Sequence, residues 1–369
     1  MKKKILIYGV GPFGSLFAER LAEAGHSVSL LDHGERLQEL KTHGVVIENT
    51  VTGVRTVTHL PIVESLGEED YYDLVIVPVR KNKVSAILPA LAANKNVPTF
   101  LFMMNNAAGQ QEFIDALGKE RVMAGFPLPG GYKEGQVMHM MPVDKKNTMM
   151  LPIGEVDGSV STRTREVAKI LSSMRGYRAE IRKDIDAWLK TQVAVMIPTL
   201  VPAVYACDSD PEHFAETRDA QVLMKRALHE SLQAMKNAGI PITPPAFEMM
   251  DRIPEPIFVL ALSKMATTPP FGPILQHLKD SADENEYLTD EYYAMIRPGN
   301  TPTPTIDRLT EYTYNRKAPL PAGSNSIPLN WRPIYGAAIG IAAVAAVAGA
   351  AALIVKQRNG NFRLKIPAA

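Results

Sequence analysis

Three glycines near the start of the chain, Gly9, Gly11 and Gly14, stand at G-x-G-x-x-G spacing, with Pro12 and Phe13 between the last two. Each position has its own chemical use. The first allows a tight turn, the second lets backbone approach a pyrophosphate with no Cβ in the way, and the third lets a helix pack close to a strand. The helix that opens there turns free N–H groups and its positive dipole end toward bound phosphates. A glycine turn between strand and helix also occurs without a ligand, so the flanks decide. Residues 4–8 (KILIY) read as a buried strand, residues 15–24 have helical spacing, Gly25 suits a C-cap, and residues 27–31 read as a second strand ending at Asp32. An acidic residue about 20 residues beyond the loop completes a dinucleotide fingerprint. Asp32 can accept hydrogen bonds from the ribose hydroxyl of NAD and would repel the 2′-phosphate of NADP; His33 and Arg36 are near enough in sequence to offset that repulsion. The choice between NAD and NADP stays open.

Elements that could carry such a site follow in order. Residues 74–79 and 99–104 read as strands and 83–93 and 110–117 as helices, with further strands at 45–47, 54–59, 136–142 and 148–153 and a helix over 161–174. Strands alternating with helices predict a parallel sheet covered on both faces. From about residue 184 the pattern becomes helical, over 184–205, 211–238, 254–265, 272–278 and 283–296. The expected class is α/β: a Rossmann-type dinucleotide-binding domain over 1–180 and an all-helical substrate domain over 184–316, followed by a linker (317–332), a hydrophobic helix (333–356) and a tail (357–369).

Bulk properties narrow the function. The 369 residues are 46% hydrophobic and 21% charged, as in a globular protein with a real core. A net charge of +1 gives nucleic-acid binding no support, and one cysteine, Cys207, excludes a disulfide framework. His and Cys do not cluster at metal-ligand spacings, so no metal site is expected. The 17 methionines read as core filler.

Several short segments resemble the ketopantoate reductase (2-dehydropantoate 2-reductase) family. Residues 74–84 are similar to its strand-plus-lysine segment, with Arg80 where lysine is usual. Leu101-Phe102-Met103-Met104-Asn105-Asn106 resembles its strand ending in a substrate-side asparagine, with Asn106 replacing the usual glycine. Ile153-Gly154-Glu155 followed by Asp157-Gly158, Trp188-Leu189-Lys190, and residues 283–288 (DENEYL) resemble three further family segments. The likeness spans roughly residues 4–307. It implies a site in the cleft between two domains and reduction of a 2-keto acid, ketopantoate or a related carbonyl compound, with NADP as the family's cofactor and a place in pantothenate biosynthesis. It also implies Lys190 as proton donor and Glu284 and Asn105 as substrate-positioning groups. Two helical positions that usually carry asparagine are Ala194 and Pro198, and an expected serine is Gly272. The reductase chemistry therefore carries over better than the substrate.

The residues themselves bear on these roles. Lys190 follows Trp188 in an otherwise apolar helix, unlike a solvated lysine. Asn105 ends a strand at the carboxyl edge of the sheet, where ligands bind in this architecture, though Asn105-Asn106 would also suit a turn. Glu284 lies in an acidic run that could equally be a solvated face, with Glu286 its nearest rival. Arg80 follows a strand end and either reaches cofactor phosphate or merely enters a helix. A rival reading in another class is a nicotinamide-binding, membrane-tethered sensor or interaction protein without turnover, motivated by the missing asparagines and serine.

Residues 334–355 contain no charge and are long enough to cross a bilayer. Trp331 and Tyr335 stand at one end, Lys356 and Arg358 at the other, and Gly336 and Gly340 have the spacing at which two membrane helices touch. The expectation is a single C-terminal membrane anchor with the catalytic domain in the cytoplasm, in a chain able to form a homodimer.

Overall fold

The computed structural model describes residues 2–146, 148–268 and 271–331. Twelve strands run in chain order: β1 (Lys4–Tyr8), β2 (Ser27–Leu31), β3 (Val45–Asn49), β4 (Arg55–Thr58), β5 (Ile62–Val63), β6 (Leu74–Val77), β7 (Phe100–Met103), β8 (Val122–Gly125), β9 (Gly131–Glu134), β10 (Val137–Met140), β11 (Met149–Glu155) and β12 (Tyr177–Ile181). Eight form one sheet in the order β12-β11-β8-β7-β6-β1-β2-β5. From β5 to β8 all pairs are parallel, and the order is that of a dinucleotide-binding sheet. β11 joins β8 antiparallel and carries β12 parallel to itself. The central strands, KILIY, LVIV and FLFM, are apolar almost throughout because helices cover both faces of the sheet.

The strands expected at 45–47 and 54–59 form, but in a separate four-stranded sheet of order β4-β3-β10-β9. That sheet brings residues 131–134 to the edge of the nucleotide side.

Beyond β12 the described chain is helical. Residues 185–205 run as one apolar helical stretch: an α-helix (Ile185–Val195), a π-turn (Met196–Leu200) and a further helix (Val201–Tyr205). Pro198 has no N–H to give and falls within the widened turn. This stretch is long and apolar enough to cross a membrane, yet most of it is buried inside the fold. Its neighbours include Arg218–Asn237, Glu255–Ala266, Phe271–Asp280, Ala282–Ile296 and Pro304–Thr313, packed around one core. A break at Thr217 divides the helix expected over 211–238.

The segment expected as a linker has no regular structure but is tied down. Leu320 N donates to Ala206 O, and Asp219 accepts from Ser326 N, Ser326 Oγ and Ile327 N. Glu255 receives Asn330 N. The hydrophobic helix expected at 333–356 lies outside the described residues.

Candidate active site

The glycine loop has the geometry its spacing implies. Gly9 sits at φ +103°, a left-handed conformation, and a Cβ there would strike Val79 Cγ2 at 2.7 Å. A Cβ at Gly14 would lie 2.0 Å from Gly9 O, so only glycine lets the Pro12–Glu23 helix seat on the loop. Gly11 differs: a Cβ there would meet nothing within 4 Å. Its free side opens on a cavity of about 480 Å³. The helix has proline at its start and no side-chain cap, leaving its first N–H groups available to an anion. These features fit the pyrophosphate of a dinucleotide.

Asp32 braces this loop from the end of β2. One carboxylate oxygen accepts Val10 N at 2.6 Å, the other His33 N at 2.8 Å. Arg36 donates through Nε to Val10 O at 2.8 Å, reaches Ser15 Oγ at 3.2 Å and pairs with Glu39 at 3.0 Å. Glu39 also takes Lys133 Nζ at 2.8 Å, and Tyr8 Oη stands 3.3 Å from His33 Nε2. The cations on this rim are thus already engaged.

The cavity runs from the glycine loop along the carboxyl ends of β6 and β7. Gly9, Gly11, Pro12, Phe13, Asp32, His33, Arg80, Asn105 and Glu284 all line it. Gly14 lies beneath the loop. Apolar walls come from Val79, Ile87, Met103, Met104 and Phe126. Arg80 spans the seam between domains, donating to Asp283 Oδ1 at 2.9 Å and to Asp280 O at 2.6 Å. Glu284 is buried, and its Oε1 accepts Lys81 N at 2.8 Å. Burial, reinforced by Asp283 and Glu291, holds its pKa above the usual carboxylate range, opposed by the Lys81 hydrogen bond and by Arg80.

Lys190 is not part of the cavity wall. Its Nζ donates to Asp186 Oδ2 at 2.6 Å, one helical turn back. A Cβ built on Gly109 would stand 3.7 Å from that Nζ, so the ammonium lies beside the loop that follows Asn105. In the same loop Asn106 is buried, gives Nδ2 to Gly109 O at 2.8 Å, and has no partner for Oδ1 among the described residues. Ala194 is fully buried in the helical core and Pro198 falls in the π-turn, so the face that usually carries asparagines is apolar.

Several cavity residues escaped sequence reading. His277 packs edge-on against Phe13 at 5.7 Å between ring centroids, and burial, then Arg80, hold its pKa below the ordinary range. Tyr132 and Lys133 arrive from the separate small sheet, and no local signal connects them to the glycine loop. Lys81, which does not line the cavity, is buried beside Arg80; its position just past a strand end was the available clue.

A parallel sheet in dinucleotide-binding order, a glycine loop open at its middle glycine and a helical domain closing the cleft define a Rossmann-type fold in two parts. Residues 5–147 match the family described as Ketopantoate reductase PanE/ApbA. Over 196 residues the chain is 25% identical to an uncharacterized oxidoreductase of Bacillus subtilis (strain 168), covering 51% of this chain and 60% of that protein. Over 249 residues it is 22% identical to the 2-dehydropantoate 2-reductase of Aquifex aeolicus (strain VF5), covering 65% and 75%. Among solved structures it resembles D-mandelate dehydrogenase with NADH and anilino(oxo)acetate, at a TM-score of 0.68 and 18% identity over 86% of this chain and 98% of that one. It also resembles a PanE/ApbA family ketopantoate reductase from Ralstonia eutropha JMP134, at 0.66 and 16% over 85% and 98%. At these identities the structural likeness is one of fold.

Proposed function

We propose that the protein is an NAD(P)H-dependent reductase of a 2-keto acid. The observation that carries this is the convergence of the open glycine loop, Asn105 and Glu284 on one cavity between the domains. The family match and the oxidoreductase names of the relatives support it. A nicotinamide cofactor held by Gly9, Gly11, Phe13 and Asp32 would supply hydride to the carbonyl carbon. The protein's part is then to hold the substrate and give a proton to the carbonyl oxygen. Asn105 and Glu284 offer hydrogen-bonding groups at the cavity, and Lys190, paired with Asp186 beside the loop that follows Asn105, would give the proton on turning from Asp186 into the cleft.

The rim supports NADH over NADPH. A 2′-phosphate would meet the Asp32 carboxylate while Arg36 and Lys133 are already paired with Glu39. The purified full-length protein, given ketopantoate and a panel of other 2-keto acids, should oxidise NADH faster than NADPH. Cofactor binding without oxidation on any of them would rule the reading out.

On sequence grounds alone, we also propose that residues 334–355 tether the enzyme to a membrane with its catalytic part in the cytoplasm. Protease should spare residues 1–316 in intact cells and cut them after lysis. Digestion in intact cells would overturn the tether's orientation.

A further inference from the structure

Lys81 is the most deeply buried charged side chain near the site, with 1% of its surface exposed. It begins the Lys81–Ala93 helix, directly after β6 and Arg80. Its Nζ lies 3.0 Å from Glu112 Oε2, 3.4 Å from Glu291 Oε1 and 5.1 Å from the centre of the Phe113 ring. Glu112 and Phe113 belong to the dinucleotide domain, on the Gln111–Leu117 helix, whereas Glu291 belongs to the helical domain. The other oxygen of Glu291 accepts Ala107 N and Ala108 N at 3.2 and 3.3 Å. Lys81's backbone N–H meanwhile holds Glu284 Oε1 at 2.8 Å.

Glu284 and Glu291 are seven residues apart on one helix, so they share a face two turns apart. One residue therefore grips that face twice, by its backbone at Glu284 and by its ammonium at Glu291. Two grips fix both the rotation of the helix and its slide along the seam.

We infer that Lys81 is a positioning residue: it locks the Ala282–Ile296 helix onto the dinucleotide domain and thereby sets where, and with what charge, Glu284 stands at the cavity. This rests on the reading of Glu284 given under Proposed function. A buried cation facing two carboxylates neutralises charge that would otherwise act on Glu284 through a poorly solvated seam. Other titratable and charged groups stand around this face, and on the same helix Tyr287 faces Glu291, Lys81 and Glu112. Arg80 opposes Asp283, and Lys83 also pairs with Asp283. His277 and Asp280 face the same cavity. Along the rest of this helix Tyr205 bonds Asn285, Asp307 bonds Tyr293, and Tyr314 bonds Asp290. On the neighbouring helix Lys190 and Asp186 are paired with each other. With Lys81 neutral, Glu291 keeps its charge without its cation, and Glu284 holds its proton to higher pH.

The test is a carboxylate titration by NMR on the full-length protein labelled with 13C at glutamate Cδ, the Glu284 signal being assigned by its loss in Glu284→Gln. Lys81→Met should raise the Glu284 midpoint by about one pH unit. Glu291→Gln should lower it, and Lys81→Met combined with Glu291→Gln should bring it back toward the wild-type value. Glu291→Gln also decides the matter if Lys81→Met does not fold. Midpoints unchanged in both single variants would overturn the inference. In turnover with a 2-keto acid, the acidic limb of kcat/KM should move with the midpoint in Lys81→Met and stay in place in Lys81→Arg. A midpoint that moves while the limb does not would also overturn it. A wild-type protein that reduces no 2-keto acid sinks the activity reading alone, because the titration still decides whether Lys81 governs Glu284.

Discussion

The glycine loop and the seam between domains are built in opposite ways. The loop is local: Gly9, Gly11, Gly14 and Asp32 lie within 24 consecutive residues, and backbone hydrogen bonds to Asp32 and Arg36 hold them. The seam is assembled from afar: Arg80 and Lys81 meet residues about 200 positions later, and Lys190 meets the loop after Asn105. A locally closed loop binds what its backbone shape dictates. On the proposed reading, a seam of ion pairs from different elements would decide what reaction follows. Of the departures from the pattern the sequence resembles, Arg80 and Asn106 lie at the seam, whereas Ala194 and Pro198 lie in the helical core and its π-turn.

If that division holds, variants in the seam should cut turnover while sparing the cofactor, and variants in the loop should do the reverse. The largest effect is expected from Lys190→Ala, a loss of roughly a hundredfold to ten-thousandfold in kcat with cofactor Kd nearly unchanged. Steady-state kinetics beside a fluorescence titration with NADH would check both halves; equal losses in both would erase the division. Gly14→Ala comes next. Its Cβ has only 2.0 Å to Gly9 O, so the loop must open, at a cost of about 1–3 kcal/mol in denaturant unfolding and with loss of cofactor binding. Asp32→Ser should follow, shifting the NADPH-to-NADH ratio of kcat/KM toward NADPH by about tenfold, or ~1.4 kcal/mol. An unmoved ratio would mean that the rim does not choose the cofactor. Gly11→Ala sharpens the contrast most, because its Cβ enters open space on the cavity side. Stability should stay within about 0.5 kcal/mol, while cofactor binding weakens measurably.

The same division governs what could be read from the sequence. The glycine loop was legible residue by residue, because Gly9 and Gly14 answer steric demands and Gly11 leaves its side open to the cavity. β1, β2, β6 and β7 were legible too, as short apolar runs between helices. β8, four residues reading VMAG, was not; its strand state comes from pairing with β7 and β11. Residues 45–47 and 54–59 were read as strands, but which sheet they would join depends on β10, some ninety residues later. In the seam, Asn105 and Glu284 were singled out by order and resemblance, and both line the cavity. Lys81 was missed because a lysine opening a helix looks like any solvated one until Glu112 and Glu291 are folded against it. The Asp186 partner of Lys190 sits at helical spacing and could have been noticed.

The most direct measurement is isotope transfer. Full-length protein would be mixed with NADH deuterated at nicotinamide C4, using each stereoisomer in turn, and with ketopantoate and other 2-keto acids, and the 2-hydroxy acid analysed by mass spectrometry. Deuterium at C2 of one product, from one stereoisomer only and absent with Lys190→Ala, is the expected result. Tight NADH binding with no label reaching any hydroxy acid would contradict a 2-keto acid reductase and leave a protein that binds the dinucleotide for another purpose.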